Sequence, residues 1–229
     1  MGGRPPRLLV TGFGPFPGVP DNPSAWLVEE LAASALAEEI EAQALHWVLP
    51  TDWVAAPDAY RRLWEAHRPD IAVQFGVSRR ACDFQLERIA RNRMADDKPD
   101  ASGARAPSSR IDADGPESWR GSLPIRRIRA SLESAGHPAS LSEDAGTYLC
   151  NALYYRAGRL AASSGRLVMA GFVHLPFLAD AVPEEAVAAS AAAGEEIGVM
   201  APEAMRAGAS LLLSLAVAAW RERAEGEGA

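Results

Sequence analysis

Cys150 stands where a thiolate is easiest to form. It lies in Asp144-Ala145-Gly146-Thr147-Tyr148-Leu149-Cys150-Asn151, just past a glycine turn and at the start of an apolar-periodic run. Tyr148, Leu149, Ala152, Leu153, Ala157 and Leu160 repeat at the three-and-four spacing of a helix, so Cys150 falls in its first turn. Unpaired backbone N–H groups and the positive end of the helix dipole lie there, and both favour a thiolate over a thiol. Position alone leaves open the other reading, a small buried core residue.

Thiol hydrolysis also needs a base that returns its proton to the leaving amine, and a third group that fixes the base's tautomer and orientation. Of the four histidines, His46 sits in a strand pattern, His67 ends a helix and His137 occupies the turn Gly136-His137-Pro138. His174 is best placed, because it ends the apolar run 165–176 at the carboxyl edge of a sheet, where the cysteine helix also begins. Three carboxylates stay open as the third member: Glu87, Asp144 and Asp180. In residues 82–90, Phe84 and Leu86 alternate with polar residues, which predicts a strand with one wet face. Glu87 on that face would be solvated or paired with Arg88 or Arg91.

Gly12-Phe13-Gly14-Pro15-Phe16-Pro17-Gly18 offers a place for a ligand. A dinucleotide fingerprint needs G-x-G-x-x-G opening a helix, but Pro17 takes the third glycine's place and Pro15 stiffens the loop. The loop provides aromatic walls at a strand end, or two phenylalanines that plug onto the core. It contains no Lys or Arg, which removes a phosphate-binding, nucleoside phosphorylase-like reading.

These residues need elements to carry them. Leu8 to Thr11 reads as a first, central strand buried on both faces, and Asn22-Pro23-Ser24 opens a helix that fades near Glu41. Residues 44–49 read as a strand, 54–67 as a helix with Tyr60, Leu63 and Trp64 inward, and 71–76 as another buried strand. That alternation argues for parallel β-α-β units. From Arg91 to about Arg120 both periodicities vanish, as in a lid, binding loop or interface arm. A helix to Ser134, a strand at 139–142, an alanine- and glutamate-rich stretch at 183–198 and a last helix at 202–223 complete the chain, with 226–229 expected to fray.

Length and charge bound the class. At 229 residues the chain is expected to be one domain spanning 1–229. Its net charge of −7, without a dense basic run, argues against a nucleic-acid partner. Two cysteines, Cys82 and Cys150, with no C-x-x-C and no zinc-ligand spacing, give neither a disulfide scaffold nor a metal site. No apolar run approaches a membrane span, and Met1 to Arg7 has no secretory pattern, so the cytoplasm is the expected compartment.

Four blocks together resemble the pyroglutamyl peptidase I (pyrrolidone-carboxylate peptidase) family: Val10-Thr11-Gly12-Phe13-Gly14-Pro15-Phe16 with Asn22-Pro23-Ser24; Gly76-Val77-Ser78 leading to Leu86-Glu87-Arg88; residues 144–151; and Phe172-Val173-His174-Leu175-Pro176. Asp114-Gly115-Pro116-Glu117-Ser118 is a weaker fifth. The resemblance implies a three-layer α/β/α sandwich around an open, mostly parallel mixed sheet. It also implies a cysteine peptidase that removes N-terminal pyroglutamate from small peptides without metal or cofactor. Cys150 then looks like the nucleophile, His174 the general base and acid, Glu87 the third member, and Phe13 and Phe16 the lactam-binding phenylalanines. A homo-oligomer, dimer or tetramer, is compatible with it.

Two departures stand out. Many bacterial members have a Gly-Arg pair where this chain has Arg79-Arg80-Ala81, and an arginine, thought to help near the oxyanion, where it has Asp97. Arg91, Arg93 and Lys98 are the cations that could stand in. Oxyanion donors contribute roughly 3 to 4 kcal/mol, so the departures bear on efficiency more than on reaction type. A related cysteine amidohydrolase with another N-terminal or lactam-like substrate, and a non-catalytic binding homologue, remain the alternatives; filled triad positions argue against the second.

Overall fold

In a computed structural model, described over residues 4–95 and 98–227, ten strands and seven helices alternate along the chain. They are β1 (Arg7–Phe13), α1 (Pro23–Ala33), α2 (Leu36–Glu39), β2 (Gln43–Leu49), α3 (Ala55–His67), β3 (Ile71–Val77), β4 (Phe84–Glu87), β5 (Ile89–Arg91) and β6 (Ser118–Arg120). After these come α4 (Ile125–Ser134), β7 (Ala139–Ser142), α5 (Leu149–Ser163), β8 (Met169–Leu175), β9 (Phe177–Leu178), α6 (Glu184–Ala193), β10 (Val199–Met200) and α7 (Pro202–Glu227).

Six strands form one sheet in the order β2-β1-β3-β8-β4-β7. Its neighbours are parallel except β4 and β8, which run antiparallel, so the sheet is mixed and mostly parallel. Strand side chains alternate between faces. Leu8, Val10, Ile71, Val73 and Phe75 join Leu27, Val28 and Leu31 of α1, Ile128 and Leu132 of α4, and Leu212, Leu213 and Val217 of α7 in one core. On the opposite face Leu9, Phe13, Ala72, Ala170 and Phe172 meet Tyr60 and Trp64 of α3 and Leu149, Leu153 and Tyr154 of α5. The result is a three-layer α/β/α sandwich. Strands covered twice have no wet side, which is why they read as uninterrupted apolar runs. Among the described residues no helix is long and apolar enough to cross a membrane.

Several boundaries differ from the expectations. β1 lies second from the sheet edge rather than at its centre. The first helix stops at Ser34, whose hydroxyl donates to the carbonyl of Leu31 (2.8 Å) and accepts from the N–H of Leu36, so α2 starts anew. β8 starts only at Met169, after a turn with Gly165 at φ 66°. α7 extends to Glu227, past the expected end at 223, and on its exposed side Arg127 pairs with Glu222 (2.6 Å) while Arg223 donates to the carbonyl of Ser122 (3.2 Å). Gly228 and Ala229 lie outside the described residues.

Candidate active site

The loop after β1 is held by buried polar groups. Asn22 caps α1 by accepting from the N–H of Ser24 (3.1 Å), and its amide donates to the carbonyl of Gly14 (3.0 Å). Thr51 donates to the same carbonyl (2.8 Å), and the Ser24 hydroxyl accepts from the N–H of Phe13 (3.0 Å). Only glycine permits this approach at position 12, where a Cβ would lie 2.2 Å from the carbonyl oxygen of Ser24. Phe13 is buried, with its ring 6.5 Å from that of Phe172. Phe16 is half-buried, 6.1 Å from the ring of Tyr148, which itself meets Trp53 edge-on at 5.2 Å. Tyr148 and Trp53 were absent from the sequence-derived wall. Tyr148's place two residues before Cys150 was the available signal; Trp53 had none.

Cys150 is the second residue of α5, as its periodicity predicts. Tyr148 at the N-cap makes no side-chain capping bond, and the first backbone bond runs from the N–H of Ala152 to the Tyr148 carbonyl (3.1 Å). The N–H groups of Leu149, Cys150 and Asn151 precede it, together with the positive end of the dipole. Below the thiol lies Gly76 of β3, where a Cβ would stand 2.9 Å from Sγ.

His174 and Glu87 come from adjacent antiparallel strands. The carboxylate Oε1 of Glu87 lies 2.7 Å from Nδ1 of His174, which leaves Nε2 as the ring nitrogen available to the Cys150 side chain. His174 is 6% exposed and Glu87 fully buried, so only the half-buried thiol of the three is open to a substrate. The expected wet face is therefore corrected at Glu87. Its strand is covered by α5, and Tyr154 of that helix donates to the Glu87 backbone carbonyl (2.8 Å). Nor does Glu87 pair with arginine: Arg88 pairs with Glu143 and Arg91 donates to the carbonyl of Glu143. The other two carboxylates are exposed, Asp144 in an ion pair with Arg93 (3.0 Å) and Asp180 beyond β9.

Burial by itself would pull the His174 imidazole down, but its hydrogen bonds to Cys150 and Glu87, and their charges, outweigh burial and push it up to about 10. The ring is further fixed by Phe172, whose centroid is 4.8 Å away. An imidazolium so held beside a sulfur at a helix N-terminus stabilises a thiolate, and can give its proton to a leaving group.

The long excursion is ordered by its own polar residues. β5 and β6 pair antiparallel at its two ends. Buried Asn92 accepts from the N–H groups of Ile111 (3.0 Å) and Asp112 (2.9 Å), and buried Asp100 accepts from that of Trp53 (2.9 Å). Asn151, next to the thiol, accepts from the N–H of Arg91 (2.8 Å) and donates to the carbonyls of Arg91 and Arg93. Tyr148 donates to the carbonyl of Pro99 (2.9 Å). Of the cations considered for the oxyanion, Arg91 and Arg93 are engaged by residues 143–144, and Lys98 is exposed. Asp97 lies outside the described residues.

Comparison with known proteins gives a consistent picture. A family model described as pyroglutamyl peptidase matches residues 6–208. A pyrrolidone-carboxylate peptidase of Chromobacterium violaceum is 39% identical over 183 residues, 79% of this chain and 80% of that protein. One from Pseudomonas fluorescens is 33% identical over 213 residues, 93% of this chain and 92% of that protein. Among solved structures, Bacillus amyloliquefaciens pyroglutamyl peptidase I superposes with a TM-score of 0.82 at 26% identity, covering 93% of this chain and 97% of that one.

Proposed function

Starting from the fact that the chain belongs to the pyroglutamyl peptidase family, we propose that it is a cysteine peptidase releasing N-terminal pyroglutamate from small peptides, with Cys150 as nucleophile, His174 as general base and acid, and Glu87 as the group that orients His174. The observation that carries the residue roles is the buried line from Glu87 through His174 to Cys150, ending on one accessible sulfur. The thiolate attacks the carbonyl carbon of the pyroglutamyl residue, and the oxyanion that forms faces the N–H groups at the start of α5. His174 Nε2 gives its proton to the departing amine, leaving a thioester. Water then attacks the thioester, His174 takes the water's proton, and pyroglutamate leaves as the thiolate returns. Glu87 holds Nδ1–H throughout and stabilises the imidazolium without itself taking the proton.

Pyroglutamate is a neutral, flat lactam without the amine that ordinary aminopeptidases grip by charge. Phe13 and Phe16, with Tyr148 and Trp53 beside Phe16, supply aromatic surface for it. The test is a release assay with a pyroglutamyl amide beside prolyl and glutamyl amides. Release from the first alone, abolished in Cys150→Ser and reduced strongly in a folded Glu87→Gln, is expected. Full hydrolysis by Cys150→Ser would refute the mechanism, and equal release from the prolyl amide would refute the substrate.

A further inference from the structure

Glu87 has fewer partners than a buried carboxylate normally requires. It is fully buried, and its Oε2 has no hydrogen-bond partner among the described residues. Both of its side-chain bonds fall on Oε1: His174 Nδ1 at 2.7 Å, and the carboxamide Nε2 of Gln85 at 3.0 Å. Gln85 and Glu87 are two residues apart in β4 and so share a face, and Gln85 stands directly opposite His174 in the β4–β8 register. The three side chains therefore close a small triangle around one oxygen.

We propose that Gln85 is a positioning residue for the reaction, whose carboxamide holds the Glu87 carboxylate so that Oε1 stays aimed at His174 Nδ1; this rests on the roles proposed above. Without that donor the carboxylate is tethered by His174 alone and can rotate about its terminal torsion, which is broad and soft. A neutral donor suits the place. An arginine there would compete with the imidazolium for the carboxylate charge, whereas an amide fixes the oxygen and leaves the charge to His174. Among the described residues, His174 from β8 and Tyr154 from α5 are titratable groups beside Glu87, with Cys150 beyond His174 and Arg120 beyond Tyr154. β7 opposes Gln85 and Glu87 with Ser140 and Ser142, which carry no charge. Burial and the neighbouring Glu87 charge keep the Tyr154 hydroxyl protonated.

The test compares Gln85→Met, which keeps length and volume but loses the donor, with the parent in both wild-type and Glu87→Gln backgrounds. Three readouts are used: kcat and KM for a pyroglutamyl amide, the pH dependence of Cys150 alkylation by iodoacetamide, and the melting temperature. In the wild-type background kcat should fall about tenfold, the scale of one lost hydrogen bond to a charged group, with KM within about twofold. The alkylation curve should change with it, since it reports the thiolate–imidazolium pair. In the Glu87→Gln background the same substitution should change kcat by less than about twofold, because its effect passes through the carboxylate. Equal losses in both backgrounds would overturn the proposal. So would a lowered melting temperature with an unmoved alkylation curve, or unchanged kcat. Alkylation needs no peptide substrate, so a wild type that failed to release pyroglutamate would defeat the functional reading while leaving this measurement intact.

Discussion

Gly76→Ala would test the site geometry with a single methyl group. Gly76 pairs with His174 in the β3–β8 ladder, and a Cβ there would lie 2.9 Å from Cys150 Sγ and 2.8 Å from Cζ of Phe172. Favourable contact begins near 3.5 to 4.0 Å between carbons, so the overlap is about 0.6 to 1.2 Å on both sides. Phe172 has little room to yield: it is 1% exposed, and its ring is bounded by Phe13, Tyr154 and His174 at 6.5, 5.8 and 4.8 Å. Either the sulfur is driven off its line to His174 or Phe172 pushes the imidazole. Overpacking of this kind costs about 1 to 3 kcal/mol, a drop of about 2 to 12 °C in Tm for a chain of this size. A displacement of about 1 Å at the reacting atoms costs about a hundredfold in rate. Pyroglutamyl amide release and a melting curve on one sample measure both. Wild-type kcat/KM in a folded Gly76→Ala protein would refute the placement of Cys150 over β3.

The aromatic surface gives a graded expectation. Phe16→Ala and Phe13→Ala should each lose about 1 to 3 kcal/mol in kcat/KM for a pyroglutamyl substrate, and Phe13→Ala should also lose about 3 to 5 kcal/mol of stability because it is buried. Wild-type kcat/KM in both variants would remove them from the substrate site. At the opposite end of the sheet, buried Asp70 accepts from both terminal nitrogens of Arg4 (2.7 and 2.8 Å), from the N–H of Arg7 (2.8 Å) and from Arg166 (2.7 Å). Burial pushes its carboxyl up, but these donors outweigh burial and hold it below the usual range. A depressed folded pKa contributes stability above the unfolded value of about 4 that is lost as pH falls through the folded one. Asp70→Asn should therefore melt lower than wild type at neutral pH, by the equivalent of about 2 kcal/mol, with the gap closing below about pH 4. A gap of constant size across that range would be evidence against the linkage.

The α/β alternation was legible because strands buried on both faces leave continuous runs such as Leu8 to Val10, and Cys150 was legible because helix periodicity fixes its turn. Glu87 was not legible from pattern. Phe84-Gln85-Leu86-Glu87 alternates in the same way whether the polar face meets water or lies under α5 beside His174, and the difference resides in residues almost ninety positions away. The family resemblance supplied that pairing; local chemistry did not. The excursion at 91–120 read as irregular because its order comes from Asn92, Asp100 and Asn151 binding backbone groups, which leaves no period. The break at Ser34 was hidden for a related reason: Leu31 and Leu36 keep an apolar face across two short helices.

The order of the strands also bears on how the protein is made. β3 and β4 are separated by only a few residues in sequence, yet β8 lies between them in the sheet. A growing chain therefore carries an unfilled slot at the centre of its sheet until Met169–Leu175 has been synthesised, and the strand that fills it is also the one bearing His174. Until that insertion, Glu87 lacks the imidazole it meets in the complete sheet, and the roles proposed for Cys150 and His174 cannot operate. Long-range pairings of this kind form slowly, because the intervening chain must be ordered first. Nascent chains thus remain without the paired sulfur and imidazole, and the sheet and its chemistry are completed in the same event.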